Sequence, residues 1–389
     1  MKSRGRKSTR NYIVPAAIVL CVVATIAAVN VYFSGYQVED TGLTAEISQT
    51  SNSGTSSDET STRVEGKRSF FTMEEKGRMF PAAPEIRGIS GYINTDDGIT
   101  LQRLREEGKV VLVDFWTYSC INCQRTTPYL NSWYEKYADD GFVILGVHSP
   151  EFDFEKDYGN VVDATKRMGI MYPVVQDNAF ETWKAYDNRY WPRKYIVDID
   201  GFVRYDHIGE GAYDQTELVI QDLLAERADR LGQKIEMGNE TTRPEGAADV
   251  DFGRIRTPEI YFGYKFLAGR NQLGNYNPVY VEQTADFILP SSGFLENFAY
   301  VGGRWYSSSD YMRLEGDKGT VVLKYSAKSV NMVAGGNGSV DVYLDGDWIG
   351  DVKIQGDTLY NLVSSESYGD HELRLSFSGD VRLYTFTFG

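Results

Sequence analysis

Cysteine and histidine are scarce in this sequence, with three of each among 389 residues. A zinc site needs four ligands, and zinc-binding CxxC pairs usually come in twos. Cys120 and Cys123 form the single CxxC pair of the sequence. The third cysteine, Cys21, lies within an apolar run. The scarcity of ligands argues against a zinc site, and we predict neither a metal nor another cofactor.

An excess of positive charge is also missing. The formal net charge is −15, although five cations lie within the first ten residues. The remainder is therefore strongly acidic and would repel the phosphates of a nucleic acid, so we predict no nucleic-acid partner. The fractions of charged and apolar residues, 24% and 42%, are typical of folded domains.

Long apolar runs are limited to one, over residues 12–33. Its length and the preceding cations predict a single transmembrane helix, with residues 1–11 in the cytoplasm and the C-terminal domains outside the cell membrane. A cleaved signal peptide is the alternative, although the apolar run is longer than usual for one. Residues 34–77 are rich in Ser and Thr and lack a regular apolar pattern, which predicts a flexible tether.

The pattern of apolar runs predicts two folded domains beyond the tether. Over residues 78–235, buried strands such as 110–119 and 142–149 alternate with helical segments, which predicts an α/β fold. A linker rich in Gly, Pro and charge follows over 236–258. Residues 259–389 contain short alternating runs separated by Gly, Asn and Asp, which predicts an all-β sandwich of the jelly-roll kind.

The CxxC pair has three chemical interpretations: a metal site, a structural disulfide, or a redox pair. A structural bridge over so short a loop would remove little chain entropy. Cysteines placed three apart where a strand passes into a helix put the first at the helix N-terminus, where amide groups and the helix dipole favour a thiolate. We therefore predict that Cys120 is the nucleophile and that the more buried Cys123 resolves the mixed disulfide.

The segment "LVDFWTYSCINC" resembles the active site of thioredoxins. The resemblance implies that Asp114 helps to deprotonate Cys123 and that Trp116 packs beside the cysteines. Pro192, before the strand "RKYIVD", corresponds to the thioredoxin cis-proline. Its neighbour Trp191 would then pair with an extended client. The intervening residues of the pair, Ile121 and Asn122, complete the predicted client-binding surface.

Four separated blocks, "VDFWTYSCINCQRTTPYL", "GVHSPEFDFEKD", "NRYWPRKYIVD" and "IGEGAYDQTE", resemble DipZ-type proteins of the TlpA-like branch, and the resemblance covers about residues 78–389. DipZ-type proteins commonly begin with a polytopic CcdA-like domain, whereas this sequence has one apolar run, so a separate CcdA-like membrane protein would donate electrons. The resemblance also implies a C-terminal domain similar to carbohydrate-binding modules. Trp305, Tyr306 and Trp348 could stack on the sugar ring of a glycan, but alternating aromatic residues in a sandwich more often belong to the core. Some TlpA-like reductases have a glutamate where Thr126 stands, so His148 or Glu151 could shape the site instead.

Three classes of function remain open at this point. The first is a membrane-anchored extracytoplasmic thiol-disulfide oxidoreductase, most simply a reductase, that exchanges disulfides with protein clients. The second is a cell-surface protein that binds glycans or proteins and contains a structural disulfide. The third is a peroxiredoxin-like peroxidase, since Thr117 and Cys120 form T-x-x-C, but Val113 stands where a proline is expected. Insulin reduction, glycan retention without thiol activity, and peroxide turnover distinguish them in that order.

Overall fold

The computed structural model describes residues 70–235, 238–267, 269–275 and 280–389. The predicted transmembrane helix 12–33 and most of the predicted tether lie outside these residues. Within the described ranges, no helix combines the length and the hydrophobicity that crossing a membrane requires. Two lobes follow one another along the chain, and we call residues 70–235 the α/β lobe and the described residues of 238–389 the β lobe.

The α/β lobe contains six helices and six strands in an alternating order. Its helices are α1 (Met73–Met79), α2 (Leu101–Glu106), α3 (Ile121–Tyr137), α4 (Tyr158–Arg167), α5 (Glu181–Ala185) and α6 (Tyr213–Leu231). Its strands are β1 (Gly91–Ile93), β2 (Val110–Trp116), β3 (Phe142–His148), β4 (Val174–Gln176), β5 (Arg193–Val197) and β6 (Val203–Ile208). A short 3₁₀ helix, Asp153–Lys156, follows β3.

These strands form one sheet in the order β1-β4-β3-β2-β5-β6. The pairs β2-β3 and β3-β4 are parallel, while β1, β5 and β6 join their neighbours antiparallel. All seven residues of β2 are buried, because helices cover both faces of the sheet. Alternation along β2 places Leu112, Asp114 and Trp116 on the face covered by α3 and α6. The predicted α/β lobe is thereby confirmed.

Helix α1 ends the predicted tether earlier than expected. The tether was predicted to run to residue 77, but the helix begins at Met73, where Thr72 and Glu75 form a capping box. Lys76 is fully buried and its Nζ lies 2.8 Å from Asp198 and 2.6 Å from Asp200. The segment is ordered because this ammonium group satisfies buried carboxylates of the sheet, a long-range contact that local composition does not encode.

The β lobe consists of a curled antiparallel sheet. Its strands are β7 (Ile260–Tyr261), β8 (Gln283–Phe287), β9 (Ala299–Ser307), β10 (Met312–Leu344), β11 (Asp347–Gln355) and β12 (Thr358–Phe388). A short helix, α7 (Tyr264–Leu267), follows β7. The order is β7-β12-β10-β9-β8, with β11 paired to β10. The prediction of an all-β C-terminal region is confirmed.

The two longest strands contain glycines with positive φ. Gly336 of β10 and Gly379 of β12 have φ of 105° and 86°. A Cβ on Gly336 would lie 2.2 Å from the carbonyl oxygen of Asp380, so the two strands can approach there only without a side chain. One stretch of β10 pairs on both sides, as Met332 does with Tyr360 and Phe386, and the sheet curls around its apolar core.

Aromatic side chains join the two lobes. Phe152, from the loop after β3, is 1% exposed and packs against Tyr261, Phe266 and Tyr384 of the β lobe. A polar contact lies beside it, since the amide of Asp153 donates to Asp310 Oδ2 at 2.9 Å. The loop that follows β3 is therefore shared between the lobes.

Candidate functional site

The CxxC pair lies at the start of α3, directly after the central strand β2. Cys120 is the N-cap residue of α3, with φ −75° and ψ 119°, and it remains partly exposed. The amide of Cys123 donates to the Sγ of Cys120 at 3.4 Å, and the first turn of α3 carries no acidic residue. Cys120 thus presents its sulfur at the positive end of a helix dipole.

Cys123 is the buried member of the pair, with 2% of its surface exposed. Desolvation raises the pKa of its thiol well above the usual value, and the neighbouring Cys120 and Asp114 raise it further. Cys123 is therefore a thiol that needs a base before it can attack. The two sulfurs lie in one turn, the outer one reachable by a client and the inner one shielded.

Asp114 lies beneath the cysteines, on the same face of β2 as Trp116. Burial raises the pKa of its carboxyl to about 7, while the charge of Lys194 opposes that shift. These two residues are direct cross-strand partners in the pairing of β2 with β5. Among the residues that the structure describes, Asp114 Oδ1 has no hydrogen-bond partner. The arrangement gives a carboxyl group that can take or return a proton near neutral pH.

Lys194 is a site residue that the sequence analysis did not single out. It is fully buried, and burial lowers the pKa of its ammonium group. Its Nζ donates to the carbonyl oxygen of Gly209 at 2.9 Å. A lysine inside the apolar strand "KYIV" is the sequence signal that could have revealed it, since a charge in a buried strand needs a partner.

The loop before β5 reaches over Cys120. The Trp191-Pro192 peptide bond is cis, and the carbonyl oxygen of Trp191 lies 4.0 Å from Cys120 Sγ. The indole of Trp191 donates to the carbonyl of Ser149 at 3.0 Å and packs on Trp183 with ring centroids 4.3 Å apart. Side-chain packing therefore holds the backbone of Trp191 beside the outer cysteine.

The other predicted site residues surround this pair. Trp116 is buried in the same apolar cluster as Cys123, and its ring meets His148 edge to face at 5.1 Å. Ile121 and Asn122 line a cleft together with Cys120 and Trp191. The structure thus brings together all eight predicted site residues, which are Asp114, Trp116, Cys120, Ile121, Asn122, Cys123, Trp191 and Pro192.

The loop after β3 contributes buried polar groups behind the cysteines. His148 is fully buried, and burial lowers the pKa of its imidazole to about 3, which keeps the ring neutral. Glu155, which the sequence analysis did not consider, accepts from the hydroxyl of Ser119 at 2.6 Å and from the amide of Glu151 at 2.6 Å. Glu155 therefore ties this loop to the residue that precedes Cys120.

Thr126 occupies the position where some related reductases have a glutamate. Its side chain is buried, donates to the carbonyl of Asn122 at 2.9 Å and lies 3.2 Å from the Tyr213 hydroxyl. The Thr126 hydroxyl thus has hydrogen-bond partners, and none of them requires a charged side chain at this position. Thr126 therefore supplies no ionisable group at this position.

Two family models match the chain. Residues 108–203 match a family described as thioredoxin-like, and residues 257–389 match one described as the thioredoxin-like C-terminal domain. The first match contains the CxxC pair and the cis peptide bond. The second begins shortly before β7 and extends to the last residue.

Curated relatives match over both lobes or over the α/β lobe. Protein DipZ of Mycobacterium tuberculosis is 38% identical over 310 residues, which is 79% of this chain and 43% of that protein. The chain thus spans less than half the length of this relative. The thiol-disulfide oxidoreductase ResA of Bacillus thuringiensis is 30% identical over 149 residues, 38% of this chain and 80% of ResA. YkuV of Bacillus subtilis, also a thiol-disulfide oxidoreductase, is 28% identical over 94% of its length.

Proposed function

The chain belongs to the thioredoxin-like family of thiol-disulfide oxidoreductases, and from this premise we propose that it reduces disulfides in other proteins outside the cell membrane. Cys120 attacks a client disulfide and Cys123 resolves the mixed disulfide. The observation that carries the proposal is the geometry of the pair: a partly exposed Sγ capping α3, a buried second thiol, and the Trp191 carbonyl 4.0 Å from the outer sulfur.

Each remaining site residue has a part in this reaction. Asp114 accepts the proton of Cys123, as its position on β2 and its raised pKa support. The backbone at Trp191 and Pro192 pairs with an extended segment of the client, in the manner of strand addition. Trp116, Ile121 and Asn122 shape the surface around the sulfurs. No metal or other cofactor takes part in this scheme.

A reductase is the favoured direction. Ile121 and Asn122, between the cysteines, carry neither a charge nor an imidazole that would make the disulfide a strong oxidant. The cysteines must then be reduced again after each turnover. We assign this to a CcdA-like membrane protein, in keeping with the predicted membrane anchor at 12–33, the tether that follows it and the extracytoplasmic placement of both lobes.

The proposed domain limits are 78–235 for the thioredoxin-like domain, extended at its start to include α1, and 259–389 for a jelly-roll domain similar to carbohydrate-binding modules, with 236–258 as the linker. Glycan binding by this second domain is a separate proposal, supported by Trp348, which is 58% exposed on the β10–β11 hairpin. Trp305, by contrast, is fully buried in the core and is not available for stacking.

The first experiment is a redox titration of the full chain in detergent. After equilibration in graded thiol and disulfide buffers, free cysteines are alkylated and counted by mass spectrometry. A midpoint near or below roughly −200 mV supports a reductase, whereas one near −120 mV would indicate an oxidant. A pair that stays locked in every buffer would contradict the enzyme and favour a surface protein with a structural disulfide. Peroxide turnover without insulin reduction would favour the peroxidase.

A further inference from the structure

The β lobe forms one wall of the cleft that Cys120 opens into. This cleft has a volume of about 520 Å³ and is lined on one side by Cys120, Trp191 and Glu151 of the α/β lobe. Its opposite side includes Glu259, Tyr261 and Arg270 of the β lobe. Carboxyl groups from both lobes therefore line the same cleft as Cys120.

One tyrosine hydroxyl joins these two carboxyl groups. Tyr261 Oη lies 2.6 Å from Glu151 Oε1 and 3.0 Å from Glu259 Oε2. A phenol carries a single proton, so it can donate to only one of them. The other contact is a hydrogen bond only if that carboxyl group itself carries a proton and donates it to the phenol oxygen. Two hydrogen bonds at this one phenol therefore mean that the three groups share two protons.

A second carboxylate in the β lobe shows the contrast. Glu282 accepts from the Tyr264 hydroxyl at 2.9 Å and also from the Tyr306 hydroxyl. Two phenol groups each donate a proton to one carboxylate there, and these hydrogen bonds lower the pKa of Glu282. In the cleft the ratio is reversed, with two carboxyl groups to one phenol. The surplus proton thus distinguishes the cleft from this second group of side chains.

The surroundings of Glu151 favour its protonated form. Desolvation raises the pKa of Glu151 to about 8, and the charges of Glu259 and Glu155 act in the same direction. The contact with Tyr261 and the charge of Arg270 oppose them. Desolvation raises the pKa of Glu259 as well, so the two carboxyl groups compete for the surplus proton. Burial and the two carboxyl groups also raise the pKa of Tyr261 well above its usual value, so the phenol keeps its own proton.

We propose that Glu151, paired with Glu259 through Tyr261, is a catalytic acid that protonates the client thiolate released by Cys120. This inference rests on the proposed reductase function. When the Cys120 thiolate attacks a client disulfide, one sulfur–sulfur bond breaks, another forms, and the second client sulfur leaves as a thiolate. Glu151 transfers its proton to that sulfur and becomes a carboxylate. A thiolate left beside two carboxyl groups would otherwise be repelled, which favours return to the starting disulfide.

The test compares two disulfides whose leaving thiols differ in acidity. The reduced full chain is mixed in single turnover with 5,5′-dithiobis(2-nitrobenzoate), whose acidic thiol leaves without a proton, or with bis(2-hydroxyethyl) disulfide, whose alkyl thiol does not. Rapid quenching with an alkylating reagent and mass spectrometry follow both reactions. We expect Glu151→Gln to slow the alkyl disulfide at least about tenfold and to leave the aromatic one unchanged.

Taking the ratio of the two rates cancels the thiolate fraction of Cys120 at each pH. In the unmodified chain the alkyl-to-aromatic ratio should fall as pH rises above about 8, where Glu151 loses its proton. In Glu151→Gln the ratio should be low at every pH. Glu259→Gln removes the competing carboxyl group, so the fall should move to lower pH.

Glu282→Gln is the matched control, because it also removes a carboxylate bound by tyrosine outside the cleft, and it should change neither rate. Equal slowing of both disulfides by Glu151→Gln would show a structural role and overturn the inference, as would no slowing of either. If the unmodified chain reduced neither probe, the proposed function itself would fail, which is a distinguishable result.

Discussion

Cys120 and Cys123 differ in exposure although they lie three residues apart, and this difference divides their roles. Only the sulfur of Cys120 borders the cleft, whereas Cys123 belongs to the apolar cluster beneath it. We expect Cys123→Ser to attack a client disulfide and then to retain the client as a mixed disulfide. Cys120→Ser should form no such adduct. Non-reducing gels after incubation with disulfide-bonded insulin detect the adduct of each variant. An adduct in Cys120→Ser would reverse the assignment.

Asp114 sets the pH dependence of the second step. Because burial raises its pKa to about 7, its basic form accumulates only as pH rises through that value. Resolution of a preformed mixed disulfide by Cys123 should therefore accelerate between about pH 6 and pH 8. In Asp114→Asn this rise should disappear, and resolution at pH 8 should slow about a hundredfold.

Release of the client from the purified adduct measures that step. The initial rate of Cys120 alkylation serves as the control and should change little, since Asp114 acts on the inner thiol. An unchanged pH profile in Asp114→Asn would assign the base to another group.

Individual residues of the site could be predicted where a local motif carries the chemistry. Cys120 and Cys123 follow from the spacing of the pair, whereas Asp114 and Pro192 follow from the resemblance to thioredoxins. Lys194 does not, because its meaning depends on the cross-strand register that places it opposite Asp114. Tyr261 and Glu259 could not be assigned either, since they come from another lobe, more than 100 residues beyond the cysteines.

At the scale of elements, α1 depends on one buried ammonium group. Desolvation opposes the charge of Lys76, but the hydrogen bonds that its ammonium group donates to Asp198, Asp200 and Glu226 outweigh this effect and raise its pKa. Lys76→Met would leave these buried carboxylates with less compensation. We expect it to lower the free energy of unfolding by about 3–5 kcal/mol, as when one partner of a buried ion pair is removed.

Arg78→Met is the matched control on the same helix. Arg78 pairs with Glu74, and both side chains are more than 70% exposed. Its loss should change the free energy of unfolding by less than about 0.5 kcal/mol. Urea denaturation of the three chains compares these values, and similar midpoints would show that Lys76 does not anchor α1.

Elements differ in how far the sequence could define them. Strand β2 was predicted over 110–119 and is observed over Val110–Trp116, because its apolar run is continuous and the last three residues turn into α3. The long strands β10 and β12 were predicted as several short ones. Glycines interrupt their sequences, yet the pairing with neighbouring strands continues through these positions and keeps the backbone extended.

At the scale of the whole molecule, the aromatic contact between lobes determines whether they unfold together. Phe152 is nearly fully buried and contacts three aromatic rings of the β lobe. Phe152→Ala should weaken the contact between the lobes by about 3–5 kcal/mol of free energy. We expect one calorimetric transition for the unmodified lobes and two separate transitions for Phe152→Ala.

Phe252→Ala provides the control, because Phe252 is 52% exposed and lines the cleft without belonging to the contact. It should leave a single transition. Two transitions in the unmodified chain would show that the lobes are thermodynamically independent. Sequence patterns predicted both lobes but not this contact, because an aromatic residue at such a contact cannot be distinguished in the sequence from one in the core of its own lobe.

The packing of Trp116 with Cys123 in one buried cluster has an optical consequence. An indole ring so close to a sulfur pair should change its fluorescence when a disulfide replaces two thiols. Trp191, whose backbone adjoins Cys120, should add a second signal that responds when a client enters. The protein thus contains intrinsic reporters for its redox state and for its occupancy, and both can be followed in real time without a label.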